Sequence, residues 1–190
     1  ADPILVPPGN SNVTTAIGVE PRFAVSGGGS VGLEATDPSK DRINWAAASR
    51  GASISTSGPL NANIPVPRLI DEGRSGTEHY IGVNWPSGGF FLLDFGAVRT
   101  IDSLQLHIWD GDARVTRYRV ESSTDGVSFS TLVDKTTGEH TGIQRLTFPT
   151  TSIRYIKIIG SFDSVDGSYF YLTDEILAIG DSTASPVPTQ

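Results

Sequence analysis

Two pairs of carboxylates stand out among the residues that could carry chemistry: Asp110 with Asp112, and Asp163 with Asp166. Glycoside hydrolysis requires such a pair. Both pairs fall in predicted loops, however, where solvated or cation-binding carboxylates are more common. The three histidines have no metal-binding spacing, and the sequence lacks both H-E-x-x-H and a nucleophile elbow. Residue order alone does not exclude a Ser-His-Asp arrangement, but these patterns together predict that the protein is not an enzyme.

The elements that must position these loops are strands, and the sequence predicts four in succession between Phe90 and Val133. The first is a short apolar run that ends at Gly96, as expected of a strand buried on both faces. The second and third, Leu104–Trp109 and Arg117–Ser122, alternate apolar with polar residues, so each has one apolar face. Asp125-Gly126 then reverses the chain into the fourth strand.

The composition agrees with an all-β fold, because the 190 residues include 21 glycines and 12 prolines and few apolar stretches with a helical period. No run of about 18 apolar residues is present, so no membrane-spanning helix is predicted. The net charge of −7 argues against nucleic acid and anionic lipid surfaces as partners. The absence of cysteine excludes disulfides, zinc-thiolate sites and a thiol nucleophile.

The chain divides into three predicted parts. Residues 1–43 form an N-terminal extension, interpreted as added strands or the end of a preceding domain. Residues 44–181 carry the strands of one all-β domain. Residues 182–190, with Pro186 and Pro188, are predicted to be a linker or tail. The tail suggests a domain that belongs to a larger protein.

Within the all-β domain, six short motifs follow one another: Asn44…Ala52…Ser55, Leu69-Ile70-Asp71…Thr77, Leu93-Asp94-Phe95-Gly96, Arg117 to Gly126, Ile153 to Ile158, and Asp174-Glu175-Ile176. In this order they resemble the discoidin or coagulation-factor C-type domain family, which includes the family 32 carbohydrate-binding modules. The resemblance covers roughly residues 44–180. It implies an all-β fold, a jelly-roll β-sandwich of the galactose-binding-domain-like type.

The resemblance also implies a structural calcium ion. Many bacterial members of the family hold one near an Asp…Thr loop and the Glu that starts the last strand, which correspond here to Asp71, Thr77 and Glu175. Calcium prefers hard oxygen ligands, and backbone carbonyls can complete its coordination. In the alternative interpretation Asp71 caps a turn, Thr77 is an ordinary loop residue and Glu175 is a solvated strand charge.

The ligand site of the family lies on loops at one end of the sandwich. There an aromatic ring stacks on a sugar face, and a planar or charged group hydrogen-bonds the hydroxyls. The resemblance implies six ligand-binding residues in this sequence: His79, Trp109, Asp110, Asp112, Arg114 and Phe162.

Each of these residues has a purely structural alternative. Trp109 ends its strand on the face away from the core and would there cover the sheet edge. Arg114 would pair with Asp110 or Asp112 and stiffen its own loop. His79 would be a satisfied loop histidine, and Phe162 a packing residue.

The sequence therefore favours a non-catalytic carbohydrate-binding module of a larger secreted or cell-surface protein. The alternative is an adhesion or protein–protein interaction module with the same fold and no sugar site. The stretch from Gln105 to Arg119 resembles that second branch of the family more closely. Lipid binding is disfavoured by the acidic net charge.

Overall fold

The computed structural model describes residues 22–26, 30–34, 42–73 and 78–181. The chain divides into two units, residues 1–42 and residues 43–190. In the first unit, strands β1 (Arg22–Ser26) and β2 (Ser30–Glu34) pair antiparallel as a hairpin. The predicted tail at 182–190 lies outside the described residues. In the part of the chain that the structure covers, no helix has the length and apolar character needed to cross a membrane.

Nine strands and three short 3₁₀ helices make up the described part of the second unit. The helices are Ala48–Arg50, Val66–Ile70 and Trp85–Ser87. The strands are β3 (Arg42–Asn44), β4 (Ser53–Ser57), β5 (Leu60–Ala62), β6 (Ile81–Asn84), β7 (Phe90–Ile108), β8 (Thr116–Ser123), β9 (Ser130–His140), β10 (Gly142–Asp163) and β11 (Tyr169–Asp181).

The strands form two layers of a β-sandwich, and β7 and β10 run through both. In the first layer the N-terminal half of β7 lies between β4 and the C-terminal half of β10. The other edge of β10 pairs with β8, and β8 pairs with β9. In the second layer the C-terminal half of β7 lies between β11 and the N-terminal half of β10. The other edge of β11 pairs with β6 and with β3, and β5 pairs with β6. The jelly-roll sandwich that the sequence predicted is confirmed.

The prediction of separate strands at Phe90 and at Leu104 is wrong, because both belong to the single strand β7. The glycine interpreted as the end of the first strand, Gly96, adopts φ +74° and bends the strand. Pairing with β10 resumes beyond the bend, where Arg99 lies opposite Ile153. A positive φ is accessible to glycine at little cost, so the chain turns from one layer to the other without leaving the ladder.

The core lies between the two layers. It includes Phe91 and Leu93 from the first half of β7 and Leu104 and Leu106 from the second half, all essentially inaccessible to solvent. Burial of each such side chain stabilises the fold by roughly 1.5–3 kcal/mol. Because residues alternate along a strand, the neighbours of these core residues point outward and are available to form a site.

Candidate ligand site at the end of the second layer

The candidate site begins where β7 and β11 lie side by side near the end of the second layer. Leu172 is paired with Ile108, and both side chains are buried in the core. The adjacent residues Tyr171 and Trp109 therefore point to the outer face of the layer. The backbone N–H of Trp109 donates to the carbonyl of Tyr171 at 3.2 Å, which fixes the two rings beside each other.

Four aromatic side chains gather on this outer face, and we call them the aromatic cluster: Tyr80, Trp109, Tyr169 and Tyr171. The ring centroid of Tyr80 lies 5.2 Å from that of Trp109 and 5.5 Å from that of Tyr171. Trp109 and Tyr171 are 5.9 Å apart, and Tyr169 and Tyr171 are 5.8 Å apart. Tyr171 is buried, whereas the other three rings keep partial exposure.

Arg114 holds the cluster from the loop between β7 and β8. Its guanidinium lies 4.4 Å from the ring centroid of Trp109 and 4.7 Å from that of Tyr171. Its Nε and Nη2 donate to the two carboxylate oxygens of Asp112, each at 2.8 Å, and its Nη1 donates to Asp163 at 3.1 Å. Only 6% of Arg114 is exposed. These contacts make Arg114 a scaffold for the site, because each of its three nitrogens already donates to a protein carboxylate.

The second partner of Arg114, Asp163, connects two loops that are distant in sequence. The other oxygen of this buried carboxylate accepts the backbone N–H groups of Val165 and Asp166. The loops are further joined by the N–H of Ser164, which donates to the carbonyl of Val115 at 3.0 Å. The loop after β7 and the loop after β10 therefore form one rigid unit at this end of the sandwich.

The electrostatics of the unit follow from this burial and pairing. Burial alone would lower the pKa of Arg114, but the hydrogen bonds to Asp112 and the charges of Asp163, Asp112 and Asp166 outweigh it and raise the pKa. The hydrogen bonds from Arg114 lower the pKa of Asp112. Burial, followed by the hydrogen bond to Asp166, raises the pKa of Tyr171. The site is thus built from permanently charged groups and a neutral phenol at neutral pH.

The other residues predicted to bind ligand lie at different places around the cluster. His79 precedes Tyr80, and its carbonyl accepts the hydroxyl of Thr173. Asp110 turns away from Trp109 toward His107, with 3.4 Å between its carboxylate and Nε2. Phe162 lies on the outer face of β10, where the guanidinium of Arg117 is 4.7 Å from its ring centroid. The structure thus brings Trp109, Asp112 and Arg114 together and sets Phe162 apart.

The residues predicted to bind calcium lie near the start of the second half of β11. Oε1 of Glu175 accepts the backbone N–H of Glu72 at 3.1 Å, while Oε2 is buried without a hydrogen-bond partner. Asp71 pairs with Arg68 at 2.9 Å. Thr77 lies outside the described residues. Burial, reinforced by the charges of Asp71, Glu72 and Asp174, raises the pKa of Glu175 to about 7.

No group of three or more acidic, histidine or cysteine side chains converges as a complete metal-binding set within 42–73 and 78–181. The buried, unpartnered oxygen of Glu175 nevertheless suits a cation, since a carboxylate without a donor is costly to bury.

Sequence reasoning did not assign four participants in the site: Tyr80, Tyr169, Tyr171 and Asn61. Asn61 donates to the hydroxyl of Tyr171 at 2.9 Å, and Tyr171 donates to Asp166 at 2.8 Å. The alternation of Tyr169 and Tyr171 with the core residues around them was the available signal for an outward aromatic pair. The approach of Tyr80 and Asn61 depends on the pairing of β5, β6 and β11, which residue order does not reveal.

Solved structures similar to this chain include carbohydrate-binding modules. Chitosan-binding module 1 from Paenibacillus sp. IK-5 has a TM-score of 0.57 with 19% identity, over 73% of this chain and 99% of that one. The family 32 module of NanJ from Clostridium perfringens, solved with galactose, has a TM-score of 0.56 with 15% identity over the same shares. CpGH89 from Clostridium perfringens, solved with its substrate GlcNAc-α-1,4-galactose, has a TM-score of 0.60 with 16% identity, covering 78% of this chain and 16% of that one. These likenesses establish the fold.

Curated relatives share a part of the sequence. BTB/POZ domain-containing protein 9 is 28% identical in Rattus norvegicus and 27% identical in Homo sapiens over 108 residues. The match spans 57% of this chain and 17% of those proteins. The model of the F5/8 type C domain matches residues 52–170, a region that contains most strands of the sandwich and the aromatic cluster up to Tyr169. With the sandwich fold and this match over more than half of its length, the chain belongs to the F5/8 type C (discoidin) domain family.

Proposed function

We propose that this domain is a carbohydrate-binding module without catalytic activity, and that it belongs to a secreted or cell-surface protein. The observation that carries the proposal is the aromatic cluster, with Tyr80 and Trp109 partly exposed on a base held by Arg114. Aromatic faces bind the C–H surface of a sugar ring, and nearby polar groups select its hydroxyls.

The polar groups around the cluster suit the recognition of hydroxyls. The carboxylates of Asp112 and Asp166 are 36% and 32% exposed, respectively, while each also accepts hydrogen bonds that fix its position. Carboxylates accept hydrogen bonds from hydroxyl groups. The vicinal hydroxyls of a sugar could therefore donate to acceptors that are already held in place beside an aromatic surface. Binding would then cost little side-chain conformational entropy.

The structural neighbours support the same proposal. Among proteins that share this fold, the NanJ module was solved with galactose, CpGH89 was solved with its substrate GlcNAc-α-1,4-galactose, and the Paenibacillus module is a chitosan-binding module. A glycan-binding domain of this kind would raise the local concentration of an attached partner near its target. The proposal extends to secretion or surface display because the glycans that such modules bind are found there.

The proposal is tested by titrating the ¹⁵N-labelled chain with galactose, GlcNAc-α-1,4-galactose and a glucosamine oligomer. We expect saturable shift changes at residues 79–80, 109–114 and 164–171. Tyr80→Ala should weaken binding by up to about ten-fold, the contribution typical of an aromatic contact. Tyr155→Ala, which removes an aromatic ring from the outer face of the first layer, is the matched control. A glycan array without hits, together with unchanged spectra, would reject the proposal.

We also propose that a calcium ion stabilises the domain through Glu175, Asp71 and the loop that contains Thr77. The support is the unpartnered Oε2 of Glu175 and the acidic groups around it. The ion would offset the charges of Glu175 and Asp71. A ligand that binds only the folded state raises the unfolding midpoint, so calcium should raise the midpoint of the protein and have no effect on Glu175→Gln. Equal midpoints in calcium and in chelator would contradict the proposal.

A further inference from the structure

A trough crosses the outer face of the second layer, beyond His107 from the aromatic cluster. It consists of two adjoining cavities of about 510 Å³ and 230 Å³ that share Gln105, Arg145 and Leu177. These three residues come from neighbouring strands and lie directly opposite one another, Leu177 against Gln105 and Gln105 against Arg145. They form the middle row of the trough.

One end of the trough is acidic. The register of β11 shifts between Thr173 and Leu177, and Asp174 there adopts φ +56°. This bulge places Asp174 and Glu175 in the wall of the larger cavity, together with Glu72 from the loop after the second 3₁₀ helix. The carboxylates of Glu72 and Asp174 at this end, against a single guanidinium in the middle row, favour a cationic group of the ligand.

The opposite end of the trough is apolar. The smaller cavity is lined there by Ile179 and by the largely buried core residue Leu146, with the hydroxyls of Ser103 and Thr147 at its margin. Between the two ends, the side chains of Arg145 and Gln105 make no hydrogen bond or ion pair within the described ranges, so their donors are available to a ligand. Arg145 is exposed. The trough thus presents an acidic end, a middle row of donors and an apolar end.

The spacing of these features matches an extended peptide. Each row consists of residues that lie opposite one another on neighbouring strands, and the rows that contain Gln105 and Ser103 are two residues apart along β7. This separation corresponds to about 6.6–6.8 Å. Alternate side chains of an extended peptide have the same spacing, so a peptide lying along β7 would place successive outward side chains over successive rows. The lining contains no aromatic side chain. A sugar would find no stacking surface there, whereas the aliphatic stem of a lysine or arginine would contact Leu177 and Ile143.

We propose that this trough is a peptide-binding site. It would accept an extended segment with a basic residue at the acidic end, an acidic residue two positions on at Arg145, and an apolar residue two positions further in the smaller cavity. The proposal is independent of carbohydrate binding, because it uses neither the aromatic cluster nor the two loops joined by Arg114. The acidic end of the site consists of Glu72 and Asp174, which line the larger cavity. Peptide binding there does not require calcium.

The test is an NMR titration of the ¹⁵N-labelled chain with the probe acetyl-Lys-Ala-Glu-Ala-Leu-amide. We expect saturable shift changes at residues 103–105, 143–147 and 174–179, in calcium and in chelator alike. The isosteric control probe, with norleucine in place of lysine, should bind about two- to five-fold more weakly, as expected for the loss of one exposed ion pair. Equal binding of both probes, or shift changes confined to residues 109–114, would overturn the proposal.

Charge reversal provides a second, sharper readout. Arg145→Glu should weaken binding of the probe and strengthen binding of acetyl-Lys-Ala-Lys-Ala-Leu-amide. Arg50→Gln, which changes an exposed arginine at the end of the first 3₁₀ helix, is the matched control and should leave both affinities unchanged. If Arg145→Glu has the same effect on both probes, or if a neutral glycan moves the trough resonances and the probe does not, the trough is not a peptide site.

Discussion

Arg114 shows how one buried residue can hold a candidate site together. The sequence predicted a guanidinium in the loop after β7 and offered two roles, contact with a ligand or pairing with a neighbouring carboxylate. The pairing with Asp112 is present in the structure, and the same side chain also reaches Asp163, 49 residues away. Two rings rest on it as well. We therefore regard Arg114 as a positioning residue.

Replacement of this arginine should be costly. Arg114→Met leaves the buried carboxylate of Asp163 without its counter-ion, and loss of one partner of a buried pair costs about 3–5 kcal/mol. Urea denaturation at neutral pH measures the change in the free energy of unfolding. Asp163→Asn introduced with Arg114→Met should recover part of the loss, while Arg50→Gln should change the free energy by less than about 0.5 kcal/mol. A loss below about 1 kcal/mol in Arg114→Met would contradict this role.

Glu175 predicts a pH dependence in the absence of calcium. Its pKa is raised from 4.5 to about 7 in the folded protein, so the folded state holds the proton more tightly than the unfolded state. The associated stability is complete below about pH 4.5 and is lost as the pH rises through about 7. In chelator, the difference in unfolding free energy between the protein and Glu175→Gln should change across this window. A difference that is constant from pH 4.5 to 7.5 would disprove the shifted titration.

At the scale of elements, β7 determines both the architecture and the position of the site. Its first half pairs with β4 and its second half with β11, so the bend at Gly96 sets where the second layer begins. Twelve residues beyond that bend, the same strand ends at Ile108 and delivers Trp109 to the aromatic cluster. A change in the bend would therefore be transmitted along the strand to the site.

The bend gives a prediction with an internal control. Gly96→Ala places a Cβ in the left-handed region and about 3.3 Å from the carbonyl oxygen of Gly51, so we expect a loss of about 1–2 kcal/mol. Gly96→Asn should cost less, because asparagine tolerates this conformation better than other side chains. Thermal unfolding should rank the variants as Gly, Asn, Ala in decreasing stability. An alanine variant as stable as the parent would show that the bend is not fixed by the backbone of this residue.

Sequence reasoning predicted the family and the sandwich because the motifs of its strands keep their order and their alternation. It misjudged the limits of β7, since a glycine that closes a strand and a glycine that bends one have the same local sequence. It named Trp109, Asp112 and Arg114 for the site because they share one short loop. It could not find Tyr80 or Asn61, whose contacts depend on the pairing of strands that are far apart in the chain.

At the scale of the whole molecule, the sandwich carries its own core. Among the residues that the structure describes, the buried core cluster runs from Ala46 to Ala178. The aromatic cluster and the trough occupy the same outer face of the second layer, because Trp109 and Gln105 both alternate with core residues of β7. About 13 Å of strand separates these two residues. One face of the domain thus carries two surfaces of different chemistry. One is aromatic, and the other combines acidic, basic and apolar side chains.

A shortened chain tests whether the sandwich folds without residues 1–41. Residues 42–190 retain the complete core and β3, so they should fold alone and unfold with the midpoint of the full chain. Differential scanning calorimetry of both chains makes the comparison, and the ¹⁵N spectra of residues 44–181 should superimpose. A broad, non-cooperative transition in the shorter chain would show that residues 1–41 are needed for folding.

The pairing of β3 with β11 has a consequence for how the domain can be built into other proteins. The backbone N–H of Trp45 donates to the carbonyl of Ala178 at 2.7 Å, so the first and last strands of the sandwich are neighbours. At this point the incoming and outgoing segments of the chain lie about one strand spacing apart, close to 5 Å. A host protein could accommodate the whole sandwich within a surface loop, because the two sides of the insertion point would hardly be displaced.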